Sequence, residues 1–546
     1  MKIILALCAI PLFALLSYLS KRISRAKLLK RLRESWGHPS DREADPESTP
    51  LYFQLKGEGE GQDDYRLDDA TWDDLDCDEL FALIDRTDTP IGAQRLYDLL
   101  RRPLLNCDEL QKRDRMIEAL RTNRDLRERI QLALQPLRAS LAATLPYALW
   151  TPLPDRPAYA WVFWLLAAST LAAVPLVLLG IVNAVALIPI LVADILVHVF
   201  VRRPAEIYFQ SFQYLGVMVE SASKVSALNA PEVQGIAEIS EDDLKSARPI
   251  SRRLYLMQFK DELGILEYLK IFLMTDLLSF YGAIERAKRA IAPLRRLYEA
   301  LGTLDALLAV ASFREEHMDF ARPRFTGAGE GYRVEKAVNP LLRNAVPNSF
   351  VFEPRAALIT GSNMAGKTTF LRTMGVNALL AQTLVMAFAE SYAAPLQRVL
   401  SCIGRKDDLL EGKSYYMAEV EGLLKLLKAS KAEGVHLFIL DEIFRGTNSV
   451  EREAASLAAL RYLANGRDYV LVATHDMNLS DQLDGLYANY HFQEALSGGG
   501  LTFDYMLRPG PSTTRNAIAL LKHVGYPERI IEEALAHVEK DERRKA

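Results

Sequence analysis

Residues 355–368 read Arg355-Ala-Ala-Leu-Ile-Thr-Gly361-Ser362-Asn363-Met364-Ala365-Gly366-Lys367-Thr368, a short apolar run followed by the spacing GxxxxGK[ST]. The helical pattern of Phe370, Leu371 and Leu379 follows at once. Such spacing is useful only where a strand delivers a glycine-bounded turn to the start of a helix, so it constrains the topology to an α/β sheet. The residue types follow from the chemistry. Glycines let backbone N–H groups surround phosphates, and the helix N-terminus adds a favourable dipole. Lys367 reaches the β- and γ-phosphates, and the Thr368 hydroxyl ligates Mg2+. Gly361, Ser362, Asn363, Met364, Ala365, Gly366, Lys367, Thr368 and Thr369 are therefore the candidate nucleotide-binding residues, with ATP and Mg2+ as the expected cofactors.

Two further apolar runs complete the pattern. His436-Leu-Phe-Ile-Leu-Asp441-Glu442 is a strand ending in adjacent carboxylates. An acidic pair at a strand end is often only a solvated turn. Downstream of a phosphate loop, Asp441 is expected to hold the magnesium ion, directly or through water, and Glu442 to orient or deprotonate the attacking water. A third strand, Asp468-Tyr-Val-Leu-Val-Ala-Thr474, delivers His475, whose imidazole can bond the γ-phosphate or the water. Glu442, His475 and Lys367 are the catalytic candidates; Thr368 and Asp441 are the metal candidates.

A chain of 546 residues is too long for one compact core, so several domains are expected. The net charge of -4 gives no global attraction to nucleic acid, and a DNA-binding surface would have to be local. Cys8, Cys77, Cys107 and Cys402 show no paired spacing and the histidines are dispersed, which points to a reducing compartment and to no thiolate-bound metal.

Three segments are apolar enough for a membrane. Ile3 to Leu19 is nearly uncharged and is followed by Lys21, Arg22, Arg25, Lys27, Lys30, Arg31 and Arg33 against the single acid Glu34. Basic residues stay on the cytoplasmic side, so an anchor at 1–20 is expected with the rest of the chain inside. The competing reading, a cleaved signal peptide, would place its charge ahead of the apolar core, where only Lys2 stands. Ala158 to Leu179 and Ile181 to Val201 read as a transmembrane hairpin, with Gly180 and Asn183 near its turn and Arg156, Arg202 and Arg203 on its flanks. A buried hairpin in a soluble core is the alternative. Asp194 and His198, four apart on one face, could form a functional polar pair, but their place close to the interface makes a solvated or mutually bonded pair the expectation.

Between these segments, Glu43 to Asp64 is acidic and poor in apolar residues, the composition of a linker. From Trp72 to about Pro136, and again from Ala205 to about His317, apolar residues recur at helical spacing, as in Leu80, Leu83 and Ile84. Thr89 is placed to cap a helix with Pro90 in its first turn.

Several of these segments resemble the MutS family. Phe81-Ala-Leu-Ile-Asp85-Arg-Thr87-Asp-Thr89-Pro90-Ile-Gly92, followed by Leu99-Leu-Arg-Arg-Pro103, is similar to the start of its core or lever domain. The loop Gly361 to Thr369 resembles the family's phosphate loop, with Ser362 where a proline is usual, Ala365 for a glycine and Thr368 for the common serine. Ile403 to Glu419 is similar to its signature segment, and that match implies Ser414 as a ligand acting in trans on the partner's nucleotide. Asp441 to Asn448 resembles the stretch after the acidic pair, with Phe444 replacing a usual glycine. Leu507-Arg-Pro509-Gly510-Pro511-Ser512 looks like the family's last strand.

The resemblance implies a multidomain chain, a mostly α-helical core or lever domain followed by an α/β P-loop domain of ABC type, and the apolar runs add transmembrane helices, the hairpin as an insertion in the lever domain. The expected division is an anchor at 1–20, a basic segment and linker at 21–66, a lever domain at 67–320 interrupted by the 158–201 hairpin, and the ATPase domain at 321–546. It also implies a homodimer closed through the nucleotide sites. Phe313-Arg-Glu315 and Phe492-Gln-Glu494 match the family's mismatch-reading triplet but lie in lever and ATPase regions, so no reading element is visible. A membrane-anchored ATPase at the cell membrane, with its levers in the cytoplasm and DNA as one possible partner, is the expectation. A membrane-associated ATPase acting on an unknown protein or transport partner is the alternative.

Overall fold

A computed structural model describes residues 19–20, 22–40, 45–57, 65–231, 235, 237–257, 265–327, 330–361, 365–404, 415–444, 448–497, 500–512 and 525–545. The first sixteen residues of the Ile3–Leu19 run, Ser362, Asn363, Met364 and Ser414 lie outside them. The chain divides into two compact units: residues 1–60, 82–99 and 112–318, and residues 61–81, 100–111 and 319–546.

The first unit is helical. Its axis is the Ile291–Glu316 helix, buried from Leu297 through Arg314 at almost every position, against which the helices Arg124–Leu134, Glu206–Ser226 and Glu241–Leu254 pack. The threonine-proline-glycine motif forms the turn expected of it, since the Thr89 hydroxyl accepts from Gly92 N at 3.1 Å at the start of the Pro90–Arg101 helix. A residue remote in sequence finishes the cap. Asp305 accepts from Asp88 N at 3.0 Å, from Thr89 N at 2.8 Å and from the Thr89 hydroxyl at 2.6 Å. Any side chain at position 92 would overlap the Asp305 carboxylate, which is why glycine stands there.

Two local expectations change. The 43–64 stretch is not all linker: Leu51–Lys56 is a helix whose Tyr52 is fully buried between Trp150 and Tyr298 and donates to Glu299 at 2.7 Å. One well-placed aromatic outweighs the acidic composition around it. Asp194 and His198 are neither solvated nor bonded to each other. Both are buried; Asp194 accepts from the Thr170 hydroxyl at 2.7 Å, and His198 Nε2 lies 2.7 Å from Asp276 Oδ2.

Trp161–Leu178 and the helical run Ala184–Ser226, which contains Leu187–Arg202, are long and apolar enough to cross a membrane. Gly180, at φ 72, lies in the turn between them, and Asn183 caps the return by accepting from Val185 N at 2.9 Å.

The second unit is α/β. Its six-stranded sheet runs in the order β10-β9-β4-β8-β7-β6, where β4 is Ala356–Thr360, β6 Arg398–Cys402, β7 His436–Asp441, β8 Tyr469–Ala473, β9 Ala488–Ser497 and β10 Gly500–Pro509. All neighbours are parallel except β10, which returns antiparallel to β9. Every residue of β4, β7 and β8 is buried, as expected of parallel strands covered on both faces. A smaller sheet, in the order β1-β5-β2-β3, joins Arg324–Phe325, Ser391–Ala394, Arg333–Ala337 and Asn348–Val351. The Lys367–Thr383 helix packs against β2 of this sheet and against β6, β7 and β8 of the other, which explains why it is buried nearly all round, its polar residues included.

This unit also takes in residues 61–81 and 100–111, which a linear division at 320 leaves on the other side. The Asp69–Asp74 helix lies along β6, the sheet's edge strand. Tyr65 donates to Val399 O at 2.5 Å, and the Thr71 hydroxyl accepts from Ser401 N at 3.1 Å. Capping an edge in this way satisfies its backbone groups and removes a template for wrong pairing.

Candidate functional site

The strand pairing brings the candidate residues to one level. Asp441 pairs with Ala473 and Ile359 pairs with Ala473, so the carboxyl ends of β4, β7 and β8 finish together. Gly361 follows β4 at φ 134, and a Cβ there would lie 2.7 Å from Phe492 O. Gly366, at φ 106, starts the Lys367–Thr383 helix from the left-handed region. Both bounding glycines are thus required by backbone geometry.

Lys367 is 1% exposed, and its ammonium donates to Gly361 O at 2.7 Å across the mouth of the loop. The next residue, Thr368, donates from its hydroxyl to Asp441 Oδ2 at 2.6 Å. A hydroxyl and a carboxylate in contact at a helix N-terminus are an oxygen-rich donor set suited to Mg2+, which binds through one or two protein oxygens and otherwise keeps water or phosphate ligands. The residues present therefore fit the ion expected from the sequence.

Glu442 is buried and takes a left-handed backbone, φ 47, with its N–H donating to Ala473 O at 2.9 Å. His475 follows β8 with its side chain half exposed, and its Nδ1 lies 3.4 Å from Glu442 Oε1. Glu442 and His475, picked from separate strands, are thus neighbours. Phe444 sits at φ 62, a conformation glycine takes freely and a phenylalanine adopts only under strain of about 1 kcal/mol. That is the position where the family resemblance expects glycine.

Two contributors escaped the sequence reading. Asp74, at the end of the Asp69–Asp74 helix, is buried in this unit. Its Oδ2 accepts from the Ser401 hydroxyl at 2.6 Å and from Ile403 N at 2.9 Å, which fixes the root of the segment that leads toward Ser414. Neither composition nor periodicity marks Asp74. Tyr505 is the second. The ladder between β9 and β10 shifts register between Phe503 and Leu507, and Tyr505 lies within that bulge at φ 54. Its ring lies against Gly366, where a Cβ would stand 3.2 Å from Tyr505 Cδ1. Bulges commonly re-aim a side chain in this way. Tyr505 joins Asn348, Thr369, Phe370 and Phe492 in lining a cavity of about 340 Å³ beside the loop.

A parallel sheet whose central strand passes through a glycine-bounded turn into a lysine-led helix, beside an acidic pair on a second strand, is the architecture of the P-loop class. Residues 357–541 match MutS domain V. The chain is 34% identical over 261 residues to the DNA mismatch repair protein MutS of Thermus thermophilus, a match covering 47% of this chain and 31% of that protein. The MutS of Thermus aquaticus matches to the same extent, and that of Natronomonas pharaonis is 32% identical over 266 residues, covering 47% of this chain and 30% of the relative. Through its C-terminal half the chain carries MutS domain V and is similar to MutS proteins. It aligns with about a third of the length of these relatives.

Proposed function

We propose that the chain is a membrane-held Mg-ATPase of the MutS type. In this reading it dimerises through its nucleotide sites and uses ATP binding and hydrolysis to move its helical region on the cytoplasmic side. The observation that carries the ATPase reading is the convergence of Thr368, Asp441, Glu442 and His475 at the carboxyl ends of three parallel strands. Thr368 and Asp441 would hold the ion, which would neutralise charge on the β- and γ-phosphates. Lys367 would move from Gly361 O to the phosphates. Glu442 would orient the attacking water and accept its proton, and His475, beside it, would steady the γ-phosphate or that water. The 340 Å³ cavity, walled by Phe370, Phe492 and Tyr505, is sized and lined for the base. Ser414 of one protomer would complete the other protomer's site.

The membrane reading is supported by the two apolar helical segments, whose most apolar windows have mean hydropathy 2.0 and 2.5 and are only 11% buried. Trp164, Leu171, Leu178, Ile188 and Phe200 are among the exposed large side chains along them. A water-soluble surface rarely leaves so continuous an apolar face uncovered. DNA is the partner to test first because the matched relatives are named for DNA mismatch repair.

The test is steady-state ATP hydrolysis by the detergent-solubilised full chain with and without duplex, mismatched and branched DNA. Stimulation that disappears at high salt and in Glu442→Gln supports a tethered nucleic-acid machine. Hydrolysis indifferent to every DNA removes DNA from the proposal, and absence of hydrolysis overturns the ATPase reading.

A further inference from the structure

A second cavity, of about 520 Å³, lies in the helical unit, remote in sequence from the phosphate loop. Seven residues between Arg31 and Ser40, the turn at 86–88, Gln131, Arg138 and one face of the Ile291–Glu316 helix line it. Its chemistry is one-sided. Arg86, whose side chain is 4% exposed, pairs through Nη2 with Glu316 and stacks on Phe313 at 4.9 Å, yet its Nε and Nη1 are buried without a hydrogen-bond partner among the described residues. The indole N–H of Trp36, held under Arg127 at 3.9 Å, is likewise buried and has no partner among the described residues. Guanidinium and indole are donors only, and arginine does not shed its proton to escape burial. Arg31 adds a cation with no ion pair among the described residues.

The acids at the cavity do not answer these donors. Asp305 spends its oxygens on Asp88 N, Thr89 N and the Thr89 hydroxyl, while Asp88 accepts from Gln131 at 3.1 Å and faces Arg138 at 3.8 Å. The cavity is therefore bordered by residues whose buried donors no described acceptor answers and by cations at its wall, within a volume typical of small-ligand sites. A carboxylate offers two oxygens in one plane, whereas a phosphoryl group offers acceptors around a tetrahedron.

We propose that this cavity binds a phosphoryl oxyanion, free or as the head of a phosphate ester, through Arg86 and Trp36 with Arg31 at its wall. The source is either a soluble phosphorylated metabolite or a phospholipid headgroup, and the two share this chemistry. The site is independent of the nucleotide reading.

Calorimetric titration of inorganic phosphate into the solubilised full chain tests it, in a Lys367→Ala background so that the phosphate loop does not report. One phosphate per chain is expected. Arg86→Lys keeps a cation opposite Glu316 but removes the two unpartnered guanidinium nitrogens, and should weaken binding by about tenfold or more, as loss of a charge-assisted hydrogen bond does. Trp36→Phe should weaken it by a smaller factor with the melting temperature held. Glycerol 3-phosphate competing better than short-chain phosphatidic acid assigns a soluble ligand, and the reverse order assigns a headgroup; both support the site. No binding in the Lys367→Ala chain, or an unchanged isotherm in a folded Arg86→Lys variant, overturns it.

Discussion

Thr368 and Asp441, 73 residues apart in the chain, meet through a 2.6 Å hydrogen bond from the threonine hydroxyl to Oδ2 of the carboxylate. The contact ties the first turn of the loop helix to the end of a second parallel strand, so the two groups expected to share a magnesium ion are adjacent. Asp441→Asn should keep nucleotide affinity in the absence of Mg2+ and lose most of the gain that Mg2+ brings. Lys367→Ala should abolish binding in both conditions. Fluorescent-nucleotide titrations with Mg2+ or with chelator check both, and unchanged Mg-ATP affinity in Lys367→Ala would place the phosphates elsewhere.

The 3.4 Å approach of His475 Nδ1 to Glu442 Oε1 gives these two residues separable tasks. Glu442→Gln should bind ATP normally and hydrolyse it about 10²–10⁴ times more slowly, the range for loss of a positioned base. His475→Ala should cost less, because Glu442 remains to orient the water. Single-turnover hydrolysis separates the two variants, and normal turnover in Glu442→Gln would give the water to another residue.

Asp74 carries the link between the segment at 65–76 and the edge strand. Asp74→Ala would leave the Ser401 hydroxyl and the Ile403 N–H buried without an acceptor, at about 1–3 kcal/mol for each group. The melting temperature should fall. Hydrogen exchange at Ser401 and Ile403 should rise first; unchanged protection there would show that Asp74 is incidental to the strand.

Burial, and secondarily the charge of Asp88, push the Asp305 carboxyl from 3.8 up to about 7, while hydrogen bonds from Thr89 pull the other way. The folded state then holds the proton more tightly than the unfolded chain. This contribution to stability is fully present below about pH 4 and is lost as pH rises through 7. Asp305→Asn should flatten the pH dependence of the melting temperature between those limits. It should also lower stability overall, since an amide turns an NH2 group toward either the Asp88 N–H or the Thr89 donors. A slope unaltered by the substitution would assign the titration to another group.

Flotation checks the membrane reading. The full chain mixed with liposomes should rise with the lipid through a density gradient and resist carbonate extraction. Recovery at the bottom of the gradient, with the hairpin intact, would make Trp161–Leu178 and Leu187–Arg202 a covered element of a soluble assembly.

What the sequence could establish was local. The places of Gly361, Gly366, Lys367 and Thr368 between a strand and the start of a helix were legible because the GxxxxGK[ST] spacing is contiguous in the chain. Asp441, Glu442 and His475 were legible because a parallel strand exposes its chemistry only at its carboxyl end. Thr89 capping a helix that begins at Pro90 was equally visible, being decided within four residues. Even the conflict at Phe444 showed as a departure from an expected glycine, and its positive φ supplies the reason.

Tertiary structure decided whatever depends on a partner far along the chain. Period and composition assign Asp74 to a helical region, but its oxygen is spent on the edge of the six-stranded sheet more than 300 residues away. Tyr52 lies in an acidic stretch that reads as linker, yet two rings contributed by distant helices bury it. Asp305 caps a helix 216 residues earlier, and Tyr505 reaches the loop through a bulge that no sequence period encodes. The physical reason is common to all four. Helical and strand patterns report which face of an element is apolar, whereas the pairing of a polar group is fixed by where the whole chain brings its complement.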